Sequence, residues 1–489
     1  MARDVGAVWV IGARLVARTP LHVGGGGEDA TADLALARDG QGHLHVPGTT
    51  LAGVLREQLR RAGGDTDGVF GFQSGQRGHA SYVRVRDARV VGEGIEVRDA
   101  TSIDRRSGAA ADRFLHSRQV VPVGSEIPLE LIVEVPRTGL CREIEGGARK
   151  LAGLLTAKQA TLTLGAAGSR GLGRMEVVPG SLAIHRLDLD RLAHLAAWWQ
   201  LRAGRALPLP ADAAQDVTPV FLPHQWRVAV HWRPEGPLLV RAGARGVDID
   251  LLPLVGWQDG AWYPVLPGAS VKGALRSRAE RIVRTLGGVR ADDPRSLLGQ
   301  IDLDRVGSVG VALGDLFGRA RVRGQRGPAR SALFVSDCVH REPCPAHPTA
   351  WELQGWDALH KRTRIAVDRW TGGAQDSALF TALEPPWEPR PGGEARWNPL
   401  ELRLDLSLLD GERGDLAMAL FWLVLRDLCG GLVAFGSGTR AGMGRIAVDR
   451  VEISHGGDEH KLSPDLQKAG AVIPEFPRWQ ESWRKACGR

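Results

Sequence analysis

A Pro-Gly turn running straight into a basic helix occurs twice in this chain, as VPGTTLAGVLREQLR (Val46 to Arg60) and as LPGASVKGALRSRAER (Leu266 to Arg281). Recurrence of this kind means that one structural unit is used twice, since both copies keep what the unit needs. The other landmarks keep the same order. Each copy opens on an alternating strand that runs into glycines, VWVIGARLVARTPLHVGGGG and WRVAVHWRPEGPLLVRAG, then reaches a loop aspartate, Asp33 or Asp250, before its Pro-Gly turn. After the helix come VFGFQSGQRGHASYVRVRDARV and LFGRARVRGQRGPARSALFVSDCV, each a Phe-Gly pair, a basic glycine-rich loop and a strand ending near an aspartate. An Asp-Arg segment follows, from Ser102 and from Ile365. Each copy closes on a glycine-rich basic loop and a strand, GAAGSRGLGRMEVV and GSGTRAGMGRIAVD.

The 489 residues exceed what one hydrophobic core usually organises, and 43% hydrophobic residues are enough to build two. The expected organisation is a first module over 1–183 and a helix with a Pro-rich linker over 184–225. A second module spans 226–456 with an insertion near 315–360, and a loosely packed tail follows over 457–489. Strands mixed with helices, one after the Pro-Gly turn and one before the closing loop, predict an α+β module used in tandem.

Lys and Arg (63) outnumber Asp and Glu (56), leaving a net charge of +7. That balance favours an acidic partner such as nucleic acid, with a GC-rich coding bias toward arginine as the competing explanation. No run of about eighteen apolar residues is present, and the N-terminus is unlike a signal peptide, so a cytoplasmic protein without a membrane partner is expected. Five scattered cysteines do not make a disulfide framework. The closing loops do not fit a GxGxxG dinucleotide site, because a helix precedes them and a strand follows.

Thr49, Thr50 and Ser270 can cap helices whose first turns present unpaired N–H groups, an arrangement that binds phosphate, and Lys272 adds a point charge there. An ordinary capped helix after a turn is the alternative. In the closing loops, glycines that allow close backbone approach stand beside Arg170, Arg174, Arg440 and Arg445, which suits a sugar–phosphate backbone.

The ordered succession of glycine loop, loop aspartate, Pro-Gly helix, Asp-Arg segment and glycine-arginine closing loop resembles the RAMP superfamily, in particular the repeating backbone subunit of type III CRISPR effector complexes. The likeness covers nearly the whole chain twice, sparing the linker and the tail. It implies ferredoxin-like, RRM-related βαββαβ cores with inserted hairpins and loops. Two backbone segments are fused in one polypeptide, stacked along a guide RNA (crRNA) beside other effector subunits. It also implies a thumb-like hairpin that splays the guide–target duplex, and a loop aspartate that promotes cutting of the complementary target RNA. Asp33 falls at the family's place. Asp250 is the nearest counterpart in the second copy, with Asp248 as competitor. The pairs Asp104–Arg105 and Asp368–Arg369 fix a loop or contact RNA. A carboxylate beside a 2′-hydroxyl nucleophile need only accept a proton or hold a divalent metal such as Mg2+ against the phosphate.

The second copy also carries CVHREPCPAH, in which Cys338, His340, Cys344 and His347 offer a donor set suited to structural zinc (Zn2+). The competing reading has Cys338 as a buried strand residue. The preferred function is a guide-binding ribonuclease subunit. A scaffold with inactive aspartates and a guide-processing endoribonuclease are the alternatives, the latter disfavoured because no histidine recurs at matching places.

Overall fold

The computed structural model describes residues 4–487 apart from 27–30, 93, 158–160, 206–207, 223–224, 244–248, 288–302, 320–329, 345–358, 391, 410 and 456–457. Two antiparallel sheets form its frame. The first runs in the order Thr161–Thr163, Arg174–Val177, Val5–Ala17, Glu126–Pro136, Val83–Val85. In the second, Ile446–His455, Gln225–Pro234, Leu400–Asp405 and Leu333–Val335 follow one another in the corresponding order. Along the chain each module is strand, Pro-Gly helix, strand, strand, helix, strand, with its last strand beside its first. This is the α+β module predicted from the residues, in the ferredoxin-like arrangement that the family resemblance implies.

Alternation in the opening strands drives the layering. Trp9, Ile11 and Leu15 face one side of the first sheet, where they meet Leu51, Leu55 and Leu59 of Gly48–Arg61 and Ile144, Leu151 and Leu155 of Cys141–Thr156. The helical residues recur every three to four positions, so each helix presents one apolar stripe to the sheet. Full burial of one such side chain contributes about 1.5–3 kcal/mol. Trp226, Val228, Val230 and Trp232 pack in the same way against Gly411–Cys429 in the second module.

Two segments are integrated more tightly than the sequence suggests. Ala183–Asp188 pairs with Ala7–Gly12, and Trp198 of Leu192–Arg202 packs with Val8, Ile132 and Leu187 on the second face of the first sheet. The C-terminal segment, expected to pack loosely, adds the strand Asp458–Leu462 to the second sheet and buries Trp479 against Trp226 with ring centroids 5.6 Å apart. Trp479 and Trp483 make a narrow stripe on the otherwise polar helix Phe476–Ala486, and the polar residues mask it in sequence. Among the described residues no helix is long and apolar enough to cross a membrane.

Candidate catalytic loops and the junction between modules

Each Pro-Gly turn positions its helix by an extremely close approach. A β-carbon on Gly48 would lie 2.3 Å from the Val85 carbonyl oxygen, and one on Gly268 2.3 Å from that of Val335, so only glycine fits. The first free amide of each helix is already engaged. Gly48 N–H donates to Asp87 Oδ1 at 2.6 Å, and Gly268 N–H donates to Asp337 Oδ1 at 2.8 Å. Thr49, Thr50 and Ser270 therefore do not cap these helices. Carboxylates from the loops just past Val83–Val85 and Leu333–Val335 take the first amide instead, so each N-terminus already holds a protein anion.

Lys272 is also committed inside the fold. Its Nζ donates to Ser331 Oγ at 2.6 Å and to the Leu333 carbonyl at 2.8 Å. Burial, followed by the charges of Arg170 and Arg276, pulls its pKa down to about 7. It is a core residue and not the phosphate contact expected from its place beside the turn.

Each module projects a two-stranded arm. The first joins Glu96–Ala100 to His116–Val120, the second His360–Val367 to Ala374–Glu384. Both turn over through an aspartate whose Oδ1 accepts two successive amides: Asp104 from Arg106 and Ser107, Asp368 from Trp370 and Thr371. The loop aspartates are pinned to these arms at equivalent points. Asp33 Oδ2 accepts from Ser117 N–H at 2.7 Å and Ser117 Oγ at 2.9 Å, while Asp250 Oδ2 accepts from Thr381 N–H at 2.8 Å. The next residues form matching parallel bridges, Leu34 with Arg118 and Leu251 with Ala382. Asp250 is thus the geometric counterpart of Asp33. Asp248 lies outside the described residues.

Both aspartates are exposed. The Ser117 amide and hydroxyl hold the Asp33 carboxyl below its ordinary range. Asp99, opposite Ser117 on the first arm, is shifted the other way, raised first by burial. The corresponding residue of the second arm is Thr363, so this second carboxylate belongs to the first module alone.

The first arm lies across the second module. Arg98 reaches Asp337, Glu96 Oε1 accepts the Trp257 amide at 2.8 Å, and Arg105 Nε meets Glu280 at 3.2 Å. Arg105 is therefore an intermodular ion-pair residue and not an RNA contact. Arg369, its counterpart, is exposed and has no partner among the described residues. Elsewhere in the seam Arg403 sits between Thr161 and Thr163, 4.5 Å over the Phe334 ring, and Arg61 pairs with Asp405 at 2.7 Å.

In the closing loops Arg170 and Arg440 are exposed without a carboxylate partner among the described residues. Arg174 pairs with Glu176 at 2.8 Å, and Arg445 lies 3.7 Å from Glu235. The three expected zinc ligands among the described residues, Cys338, His340 and Cys344, do not form a common metal-holding group. Cys338 is buried in the main core of the second module, its Sγ donating to the Asn398 carbonyl at 3.0 Å, and Cys344 belongs to a separate cluster with Leu252 and Leu383. Burial raises both thiols, that of Cys344 to about 12. His340 stacks edge-on against Trp397, and His347 lies outside the described residues. Among the described residues no group of three His, Cys, Asp or Glu side chains is placed to hold a metal.

The capping aspartates Asp87 and Asp337 were the functional residues least visible in sequence. Their signal was the aspartate that ends the matching strand in both copies.

A family model described as RAMPs, the RAMP superfamily, matches residues 14–176 and 237–447, one region in each module. No curated protein matches the chain.

Proposed function

The chain belongs to the RAMP superfamily, and from that premise we propose that it is a backbone subunit of a type III CRISPR effector that holds guide RNA along both modules and cuts paired target RNA once per module. The equivalence of Asp33 and Asp250 carries this reading: two exposed carboxylates, each tied to its own arm through Oδ2. RNA brings its own nucleophile in the 2′-hydroxyl, and an arm that splays the duplex sets that oxygen in line with the adjacent phosphate.

Because Ser117 holds Asp33 ionised, this carboxylate is a poor proton acceptor near neutral pH and better suited to holding a cation. Ser117 donates to Oδ2, so Asp33 has Oδ1 to offer, and phosphate and water complete the shell of a hard cation held by so few protein ligands. A divalent ion such as Mg2+ bound there supplies stabilisation of the charge that builds on the phosphate. Sequence choice comes from base pairing. Arg170, Arg440, Arg445 and Arg369 are the exposed cations available to the sugar–phosphate backbone.

The test is to reconstitute the chain with guide RNA and its partner subunits and map cuts in end-labelled complementary RNA. Two evenly separated cuts are expected. Target binding without cleavage leaves the scaffold reading in place.

A further inference from the structure

Each aspartate loop is a hairpin whose two limbs are bonded at the base. Gly25 N–H donates to the Ala35 carbonyl in the first module, and Ala242 N–H donates to that of Leu252 in the second. Asp33 and Asp250 each stand two residues before the acceptor, while Gly26 and Gly243 each stand one residue past the donor. The aspartate limb is fixed alike in both modules, by the module's own arm. The glycine limb differs. A β-carbon on Gly26 would meet nothing within 4 Å, whereas one on Gly243 would fall against Asp99 Oδ2 and lie 2.5 Å from Asp99 Cγ. Asp99 belongs to the first arm, and its carboxyl accepts the Gly243 N–H. The second loop is therefore held between two arms, by Thr381 of its own module and by Asp99 of the other. At the place of Asp99 the second arm has Thr363, whose Oγ1 lies 3.5 Å from Thr381 Oγ1.

We propose that Asp99 is a positioning residue for the second cut: by holding Gly243 it fixes the limb that faces Asp250, so that the first module presets the cutting loop of the second. This rests on the reading of Asp250 as a cutting residue. A carboxylate carried on a hairpin held at one limb only can drift by an ångström or so, and a misplacement of that size costs on the order of a hundredfold in rate. Asp99 shares a rung of the first arm with Ser117, which holds Asp33, so the rival role is a second carboxylate for the Asp33 chemistry. The bond to Gly243 and the lack of room there for any β-carbon favour positioning. Burial, and after it the charge of Asp33, also works against the ionised form of Asp99, which suits an amide acceptor better than a cation ligand. The brace runs one way, from the first module to the second, and Asp33→Ala leaves it standing.

The test uses the reconstituted complex, with the two product bands timed separately. Asp99→Ala should slow the Asp250 cut by at least about tenfold and leave the Asp33 cut unchanged. Asp99→Asn keeps an oxygen that accepts the Gly243 amide and should restore the rate, which separates holding from charge. Gly243→Ala should slow the same cut, and adding it to Asp99→Ala should cost nothing further, because the side chain it strikes is gone. Loss of the Asp33 cut in Asp99→Asn would make Asp99 part of the first site. Equal loss of both cuts in Asp99→Ala would make it a general support of the arm, and wild-type rates at both would make the contact idle; any of these overturns the proposal. Hydrogen exchange on the full chain without RNA reads the brace apart from the chemistry. Asp99→Ala should speed exchange across Ile249 to Leu252 by about tenfold, as expected for one lost hydrogen bond to a charged group, and leave Ala32 to Leu36 unchanged. Should the wild-type complex make no cut while exchange responds in this way, the ribonuclease reading fails and the brace does not. Unchanged exchange overturns the brace itself.

Discussion

The Arg98 guanidinium of the first module closes on one carboxylate oxygen of Asp337 in the second, while the other oxygen accepts the Gly268 amide. Both side chains are almost free of solvent. A single aspartate therefore caps a helix and joins the modules, whereas its counterpart Asp87 only caps. Asp337→Ala leaves the buried Arg98 guanidinium with Glu96 alone, at 3.4 Å, and should destabilise the chain by about 1.5–3 kcal/mol, against about 1 kcal/mol for Asp87→Ala. Denaturant unfolding of the two variants checks this, and equal losses would contradict the bridging role.

Cleavage should be lost site by site. Asp33→Ala removes one cut and Asp250→Ala the other, with guide binding intact in both, because each phosphate depends on its own loop and arm. If both cuts persist in the double variant with Asp248 also replaced, the catalytic assignment fails.

The acid response of the cut at Asp33 should depend on Ser117. Asp33 has its pKa lowered by Ser117, so whatever depends on its ionised form is present above the ordinary aspartate range and is lost only as pH falls through the lower folded value. Ser117→Ala should move the acid limb at the Asp33 cut upward and leave the Asp250 cut alone. A rate–pH profile measured separately for each product band reads this out.

Lys272 carries a cost that depends on pH. Its folded pKa of about 7 lies below the unfolded lysine value, so between the two the unfolded chain binds more protons and stability rises with pH. Lys272→Met should therefore stabilise the protein most at and below pH 7, with the advantage shrinking as pH rises above that value. RNA affinity should not change. Thermal melts across pH and a filter-binding assay check the two halves of the prediction.

Replacing Arg170 and Arg440 together with Ala should weaken guide binding for all sequences alike. The slope of log affinity against log salt should fall by about 1 to 2, since each lost phosphate contact removes one counterion release. Loss confined to one base sequence would argue against backbone recognition.

The repeat, the alternating strands and the helices that follow each Pro-Gly turn made two α+β modules legible in the sequence, because those signals depend on neighbours a few residues apart. The loop placement of Asp33 ahead of its Pro-Gly helix was legible for the same reason, as part of a local pattern. What the sequence could not express was which surface each module turns toward the other. The caps come from Asp87 and Asp337, 39 and 69 residues beyond the amides they hold. Lys272 looks like a phosphate ligand until Ser331 and Leu333 close around it, and Arg105 looks like its twin Arg369 until Glu280 of the other module buries it. Charge and spacing are properties of the chain. Whether a charge is buried, paired or free is decided by contacts across long sequence separations, and those form only when the two modules pack together.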